Sequence, residues 1–207
     1  IGGRTMPAFV SSFTKISSKE VIRKSSFKLK KLVCKKSDVI IDIATLRLVS
    51  GLALGLAITE GELFALLLPP KNINPSKITL KNKISRRGEI ALVEGALKAR
   101  GASYKEIIKL ERNVGKSVLI IVPNLLWKNV VYAELEAEYE NLTIITPSSL
   151  LLSIGNVGSI ILEKESASYR PIKSPRVDMR EVVRSLSDLL GAKLYLADDL
   201  VTLGAYK

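Results

Sequence analysis

Histidine is absent from this chain of 207 residues, and Cys34 is its one cysteine. Without an imidazole there is no Ser-His-Asp or Cys-His catalysis, and the usual zinc ligand sets cannot be assembled. A lone thiol excludes an internal disulfide framework and fits a reducing, cytoplasmic setting. Lys31 and Lys35 flank Cys34 and would favour its thiolate, but the preferred reading is a small half-buried residue. Long hydrophobic runs are missing too. The most apolar stretch, Leu48 to Leu68, is broken by Glu60 and Glu62 and falls short of the roughly 20 residues a bilayer span needs. The Gly51/Gly55 spacing therefore reads as close packing in a short helix rather than membrane dimerisation. Ile1-Gly2-Gly3 has no signal-peptide character and reads as an internal start. Carboxylate or lysine chemistry and phosphate binding stay open.

Acid is scarce as well: 20 Asp and Glu stand against 32 Lys and Arg, a formal net charge of +12. An excess of that size points to a polyanion, either nucleic acid or an anionic membrane surface. It is concentrated in residues 1–36, where Arg4, Lys15, Lys19, Arg23, Lys24, Lys28, Lys30, Lys31, Lys35 and Lys36 face Glu20 alone. Within that zone Met6–Phe13 reads as a short strand followed by a loop.

Residues 37–72 read as a small helical segment, winged-helix-like in its short, compact helices. Ser37-Asp38 is a plausible cap for Val39, Ile40, Ile43 and Leu46 at helical spacing. Thr59 followed by Glu62 carries the capping-box signature, and Pro69-Pro70 ends that helix. A linker, 73–88, contains Pro75 and the Arg86-Arg87 pair. From 89 to 207 the period changes. Ile90–Val93, Val118–Val122, Leu142–Ile145, Ser159–Leu162 and Lys193–Leu196 read as strands. Tyr104–Arg112, Asn129–Tyr139 and Val182–Leu190 read as helices between them. Continuous apolar strands alternating with helices predict an α/β fold with a parallel sheet covered on both faces.

In such a sheet ligands sit beyond the carboxyl ends of the strands. The segment from Gly95 to Ser103 lies where a phosphate loop belongs, between the first strand and a helix. Such a loop ends in glycine, lysine and a hydroxyl residue, whereas Ala102 follows Gly101 here. Lys98 or Arg100 would have to stand in for the cation. Gly115-Lys116-Ser117 spells the right ending in the wrong order, after a helix and before a strand, so Gly115 reads as a helix terminator. An ATPase also needs acidic residues after a buried strand. Here Glu163-Lys164-Glu165-Ser166 follows Leu162, and the favoured reading is a solvated loop whose Lys164 competes with a metal ion. No cofactor is expected, beyond residual binding of ATP and Mg²⁺ through Gly95, Lys98, Arg100, Gly101, Ser103, Glu163 and Glu165.

With these pieces in order the chain resembles the primosomal protein N′ family of replication-restart DNA helicases. The likeness runs through Gly3–Val10, Leu46–Pro70, Lys116–Pro123 and Ile144–Tyr169, in the family's order. It implies a RecA-like P-loop helicase lobe at 89–207, preceded by a winged-helix-like segment. The family are ATP-dependent helicases that use a phosphate-loop lysine and an acidic box. Ala102, or Gly101 with a one-residue shift, stands where that lysine belongs, and Glu163-Lys164-Glu165-Ser166 stands for the box. The second lobe and its cysteine-rich zinc module have no counterpart in this sequence.

These readings combine into one expectation: a DNA-binding protein for forked or single-stranded DNA that works beside replication proteins and does not itself turn over ATP. Arg4, Lys28, Lys30, Lys31, Lys35, Lys36, Arg86 and Arg87 are the expected phosphate contacts, which position without reading sequence. The resemblance adds Pro123, Asn124, Thr146 and Ser148, near loops that touch the single-strand backbone in helicase lobes. Trp127 and Tyr132 are read as core aromatics rather than base-stacking platforms. Two other classes remain open: an ATPase lobe completed by a partner, and a non-enzymatic replication adaptor.

Overall fold

The computed structural model describes residues 43–67, 89–135, 140–152, 156–167, 169 and 177–200. Helices α1 (Ile43–Gly55) and α2 (Glu60–Leu67) come first. Then follow β1 (Ile90–Glu94), α3 (Leu97–Asn113), β2 (Ser117–Ile121), α4 (Leu125–Leu135) and β3 (Leu142–Ile145). A 3₁₀ turn at Pro147–Leu152, β4 (Val157–Glu163), α5 (Met179–Leu190) and β5 (Lys193–Asp198) complete the order. The sheet is entirely parallel, in the order β1-β5-β4-β2-β3. The α/β class expected from the alternation of strands and helices is therefore the observed one.

Strand side chains alternate between two cores, because successive residues point to opposite faces. Leu119, Ile121, Ile160, Leu162, Leu194 and Leu196 enter one core with α1, α2 and α5. Val118, Ile120, Ile161 and Ala197 enter the other with α3 and α4. The outward connections from β1 to β3 thus lie on one face and the return through α5 on the other. All seven residues of β4 are buried, as a strand covered on both faces requires.

Helices α1 and α2 pack onto the sheet. Val49, Leu52, Leu63, Phe64 and Leu67 share the core of the sheet's α5 face. Their junction is the capping box read from the sequence: the Glu62 N–H donates to Thr59 Oγ1 at 3.2 Å, and the Thr59 N–H donates to Glu62 Oε2 at 2.9 Å. Among the described residues nothing packs closely on Gly51 or Gly55: a Cβ at either would meet no described atom within 4 Å. Met6–Phe13, Cys34, the Ser37-Asp38 cap and Pro69-Pro70 lie outside the described residues.

Two helices begin earlier than their periodicity suggested. Helix α3 starts at Leu97, not Tyr104, so Gly95 and Ala96 alone connect β1 to it. Nothing between Leu97 and Ser103 breaks a helix except Gly101, and Gly101 is there for contact: a Cβ on it would lie 2.7 Å from Glu134 Cγ on α4. Helix α4 starts at Leu125 because Asn124 caps it, its Oδ1 accepting the Trp127 N–H at 3.0 Å. Gly115 terminates α3 as expected, with a φ of 68° and its N–H on the Arg112 carbonyl.

Candidate functional site

Two neighbouring regions lie beyond the carboxyl ends of the strands. The first is an ionic cluster at β1, β5 and β4, buried at Arg100 and Glu163 and open to solvent at Asp199. Gly95, with a φ of 118° that suits glycine alone, turns the chain so that its N–H reaches the Asp198 carbonyl at 3.1 Å. One turn into α3, Arg100 points back under this turn and is fully buried. Its Nη2 donates to Glu163 Oε1 at 2.5 Å and its Nη1 to Asp199 Oδ1 at 2.6 Å. Nη1 also donates to the Gly95 carbonyl, and the Tyr104 hydroxyl donates to the other Glu163 oxygen. Glu163 is fully buried at the end of β4, and the Tyr169 hydroxyl donates to its backbone carbonyl.

Lys164 follows in a left-handed conformation, φ 57°, which costs a side-chain-bearing residue energy unless its surroundings hold it. Its Nζ supplies that hold, donating to Asp198 Oδ1 at 3.1 Å and Asp199 Oδ2 at 2.5 Å. The same ammonium lies 5.3 Å from the centre of the Trp127 ring. The second Asp198 oxygen accepts the Ser166 N–H at 2.7 Å and the Ser166 hydroxyl. Glu165 is buried, 3.4 Å from Arg180 Nη1. The solvated acidic loop expected after Leu162 is thus a buried one, because Arg100, Tyr104 and Arg180 compensate its carboxylates.

Burial disfavours the charge on Arg100, but the Glu163 and Asp199 carboxylates outweigh it and raise its pKa. Burial and then the Glu163 charge push the Tyr104 hydroxyl well above its ordinary range. For Lys164, burial is likewise outweighed by Asp199 and Asp198, and its pKa rises. Both cations are therefore committed to carboxylates, and three carboxylates meet two cations. Among the described residues this cluster holds no cation free for a phosphate.

The second region is open. A cleft of about 610 Å³ lies beyond β2 and β3. Its walls come from the residues after β2, Pro123 to Leu126, and those after β3, Thr146 to Ser148, with Tyr169 and Met179 across from them. Asn124 spends its Oδ1 on the helix cap, which leaves its amide N–H groups as donors. The Thr146 and Ser148 hydroxyls are 3.2 Å apart. Leu125 and Leu126 are 69% and 71% exposed at the rim.

The chain matches no protein-family model and no curated protein.

Of the residues singled out in the sequence, the structure brings Asn124, Thr146 and Ser148 together at the cleft. It also brings Gly95, Arg100 and Glu163 together in the ionic cluster. Lys98 is exposed on α3, two residues and some 200° of helix rotation away from Arg100. Gly101 is buried against Glu134, Ser103 is half-buried and Glu165 faces Arg180. Tyr132, read as a core aromatic, is 41% exposed, with Lys128 Nζ 5.8 Å from its ring centre. Arg4, Lys28, Lys30, Lys31, Lys35, Lys36, Arg86 and Arg87 lie outside the described residues. Sequence reasoning missed Asp198 and Asp199, although adjacent carboxylates ending an apolar strand are a signal that the carboxyl-edge rule could have found. Among the described residues no cluster of His, Cys, Asp and Glu could hold a metal ion. No described helix is long and apolar enough to cross a membrane.

Proposed function

We propose that the chain binds single-stranded or forked DNA at the cleft beyond β2 and β3, without turning over ATP, as a relative of replication-restart helicase lobes working beside replication proteins. The observation that carries this reading is the convergence of Asn124, Thr146 and Ser148, from two separate loops, on one open cleft. Neutral donors suit a sugar-phosphate backbone that must be held without sequence preference. The exposed Leu125 and Leu126 offer an apolar rim on which bases can rest. The net charge of +12 supplies long-range attraction. The absence of turnover is supported by Arg100 and Lys164, described cations at the β1 and β4 ends, both paired with carboxylates.

The test is fluorescence anisotropy with labelled single-stranded, forked and duplex DNA, titrated with salt, with and without ATP. Selective binding of the single-stranded and forked probes, indifferent to ATP, is the expected result. The paired change Asn124→Asp and Thr146→Val keeps the cap acceptor and the side-chain shapes but removes donors and adds a negative charge. It should weaken single-strand binding roughly tenfold, the loss of one to two charge-sensitive hydrogen bonds. Binding no tighter than to an unrelated polyanion, or untouched by this variant, would overturn the reading.

A further inference from the structure

Helix α3 carries a line of cations that neither the fold nor the cleft uses. Lys98, Lys105, Lys109 and Arg112 are separated by seven, four and three residues, which places them within one narrow stripe of a helix. Lys98, Lys109 and Arg112 are exposed and Lys105 is half-exposed. Among the described residues none of the four has an ion-pair partner, whereas Arg100, Lys164 and Arg180 do. Of the helix's carboxylates, Glu111 is turned to the sheet, accepting from the Ser159 hydroxyl at 2.5 Å. Glu106 flanks the stripe on one side, and Glu134 of α4 lies against Gly101 on the other, one turn from Lys98 and Lys105. A groove of about 390 Å³, lined by Lys105, Glu106, Ile108, Lys109 and Arg112, runs beside it.

We infer that this stripe is a track for the phosphate backbone of duplex DNA, distinct from the single-strand cleft. The proposal rests on the nucleic-acid reading and deepens it by naming the second arm of a fork as the partner. At about 1.5 Å per residue the stripe is about 21 Å long, comparable to the axial rise of roughly six base pairs at about 3.4 Å each. Four cations along that length, without an ion-pair partner among the described residues, complement a regularly spaced anion and read no bases. A folded acidic protein would rarely present charge in so straight a row. Helix α3 packs beside α4, whose first residues wall the cleft, so one fork can engage both surfaces.

The experiment compares the wild-type chain with a variant in which Lys98, Lys105, Lys109 and Arg112 are each changed to Gln. A control variant carries Arg47→Gln, Lys128→Gln and Lys193→Gln, which neutralises cations away from the stripe. Binding of blunt duplex and of single-stranded probes is followed across salt concentration, with circular dichroism confirming the fold. In the stripe variant the slope of log affinity against log salt for duplex should become shallower by about 3.6, from about 0.9 per lost phosphate contact. Duplex affinity should fall roughly tenfold or more while single-strand affinity stays. The control should change the slope by much less.

An unchanged duplex slope, or an equal change in the control, would overturn the stripe and leave the cleft standing. An equal fall for duplex and single strand would show that no separate track exists. A wild-type chain that binds no DNA would remove both the cleft and the stripe. Binding instead to vesicles rich in anionic lipid would assign the stripe to a membrane.

Discussion

Arg100 shows how one side chain decides what the carboxyl edge can do. Its guanidinium and the Glu163 carboxylate are both removed from water, and such a pair stabilises little compared with apolar residues of similar size. Breaking it is another matter. Arg100→Met leaves Glu163 buried with only the Tyr104 hydroxyl and should cost about 3–5 kcal/mol in urea unfolding. Adding Glu163→Gln, which still accepts from Tyr104, should recover a good part of that loss. Additive losses would show that the two groups do not depend on each other. Nearby groups set a pH window. Burial opposes the Asp198 charge, but the Ser166 donors and Lys164 outweigh it and hold its pKa below the ordinary 3.8. Its stabilising contribution is complete above that value and is lost as pH falls through the depressed one. Tyr104 gives the opposite limb: its folded pKa lies above the ordinary 10.0, so stability falls once pH rises past 10 and only the unfolded phenol ionises. Denaturation midpoints at roughly pH 3, 7 and 11 should trace a plateau with two shoulders. Asp198→Asn should reduce the acid shoulder, which Asp199 shares, and Tyr104→Phe the alkaline one, which Tyr169 and Lys164 share.

Among the elements, α3 and α4 meet at Gly101. Glycine inside a helix costs about 0.5–1 kcal/mol relative to alanine, yet a Cβ here would press on Glu134 Cγ at 2.7 Å. Gly101→Ala alone should therefore gain little or lose slightly in thermal unfolding. Combined with Glu134→Ala it should stabilise by about 0.5–1 kcal/mol; no gain in the double variant would mean that the backbones, not Glu134, set the approach. Gly101 also explains what could be read from the sequence and what could not. The strand from Leu142 to Ile145 and the Thr59–Glu62 box were legible because apolar runs and cap chemistry are local. The start of α3 was not, since a glycine required by a distant helix looks the same as one required by a loop. Nor was the burial of Glu163 legible, because its partner Arg100 lies 63 residues away. Asn124, named from the resemblance as a contact, also caps α4, and its hydrogen bond moves that helix's start four residues ahead of the apolar pattern.

For the molecule as a whole, the sheet order places β5, β4 and β2 inside and β1 and β3 at the two ends. β4 is bonded on both sides and buried along its whole length. Its amides, Ile160 to Leu162 above all, should exchange with deuterium only through global unfolding, while those of β1 should exchange soonest among the strands. Equal protection of β1 would mean that its outer edge is covered. The same order has a consequence during synthesis. Among the described residues β1 is paired to β5 alone, so the first described strand to leave the ribosome waits for the last described one. The intervening stretch is about 100 residues, roughly 5–20 s of translation at 5–20 residues per second. Throughout that interval Ile90, Leu92 and Val93 have no ladder to join, and the nascent chain offers an apolar strand to any chaperone within reach.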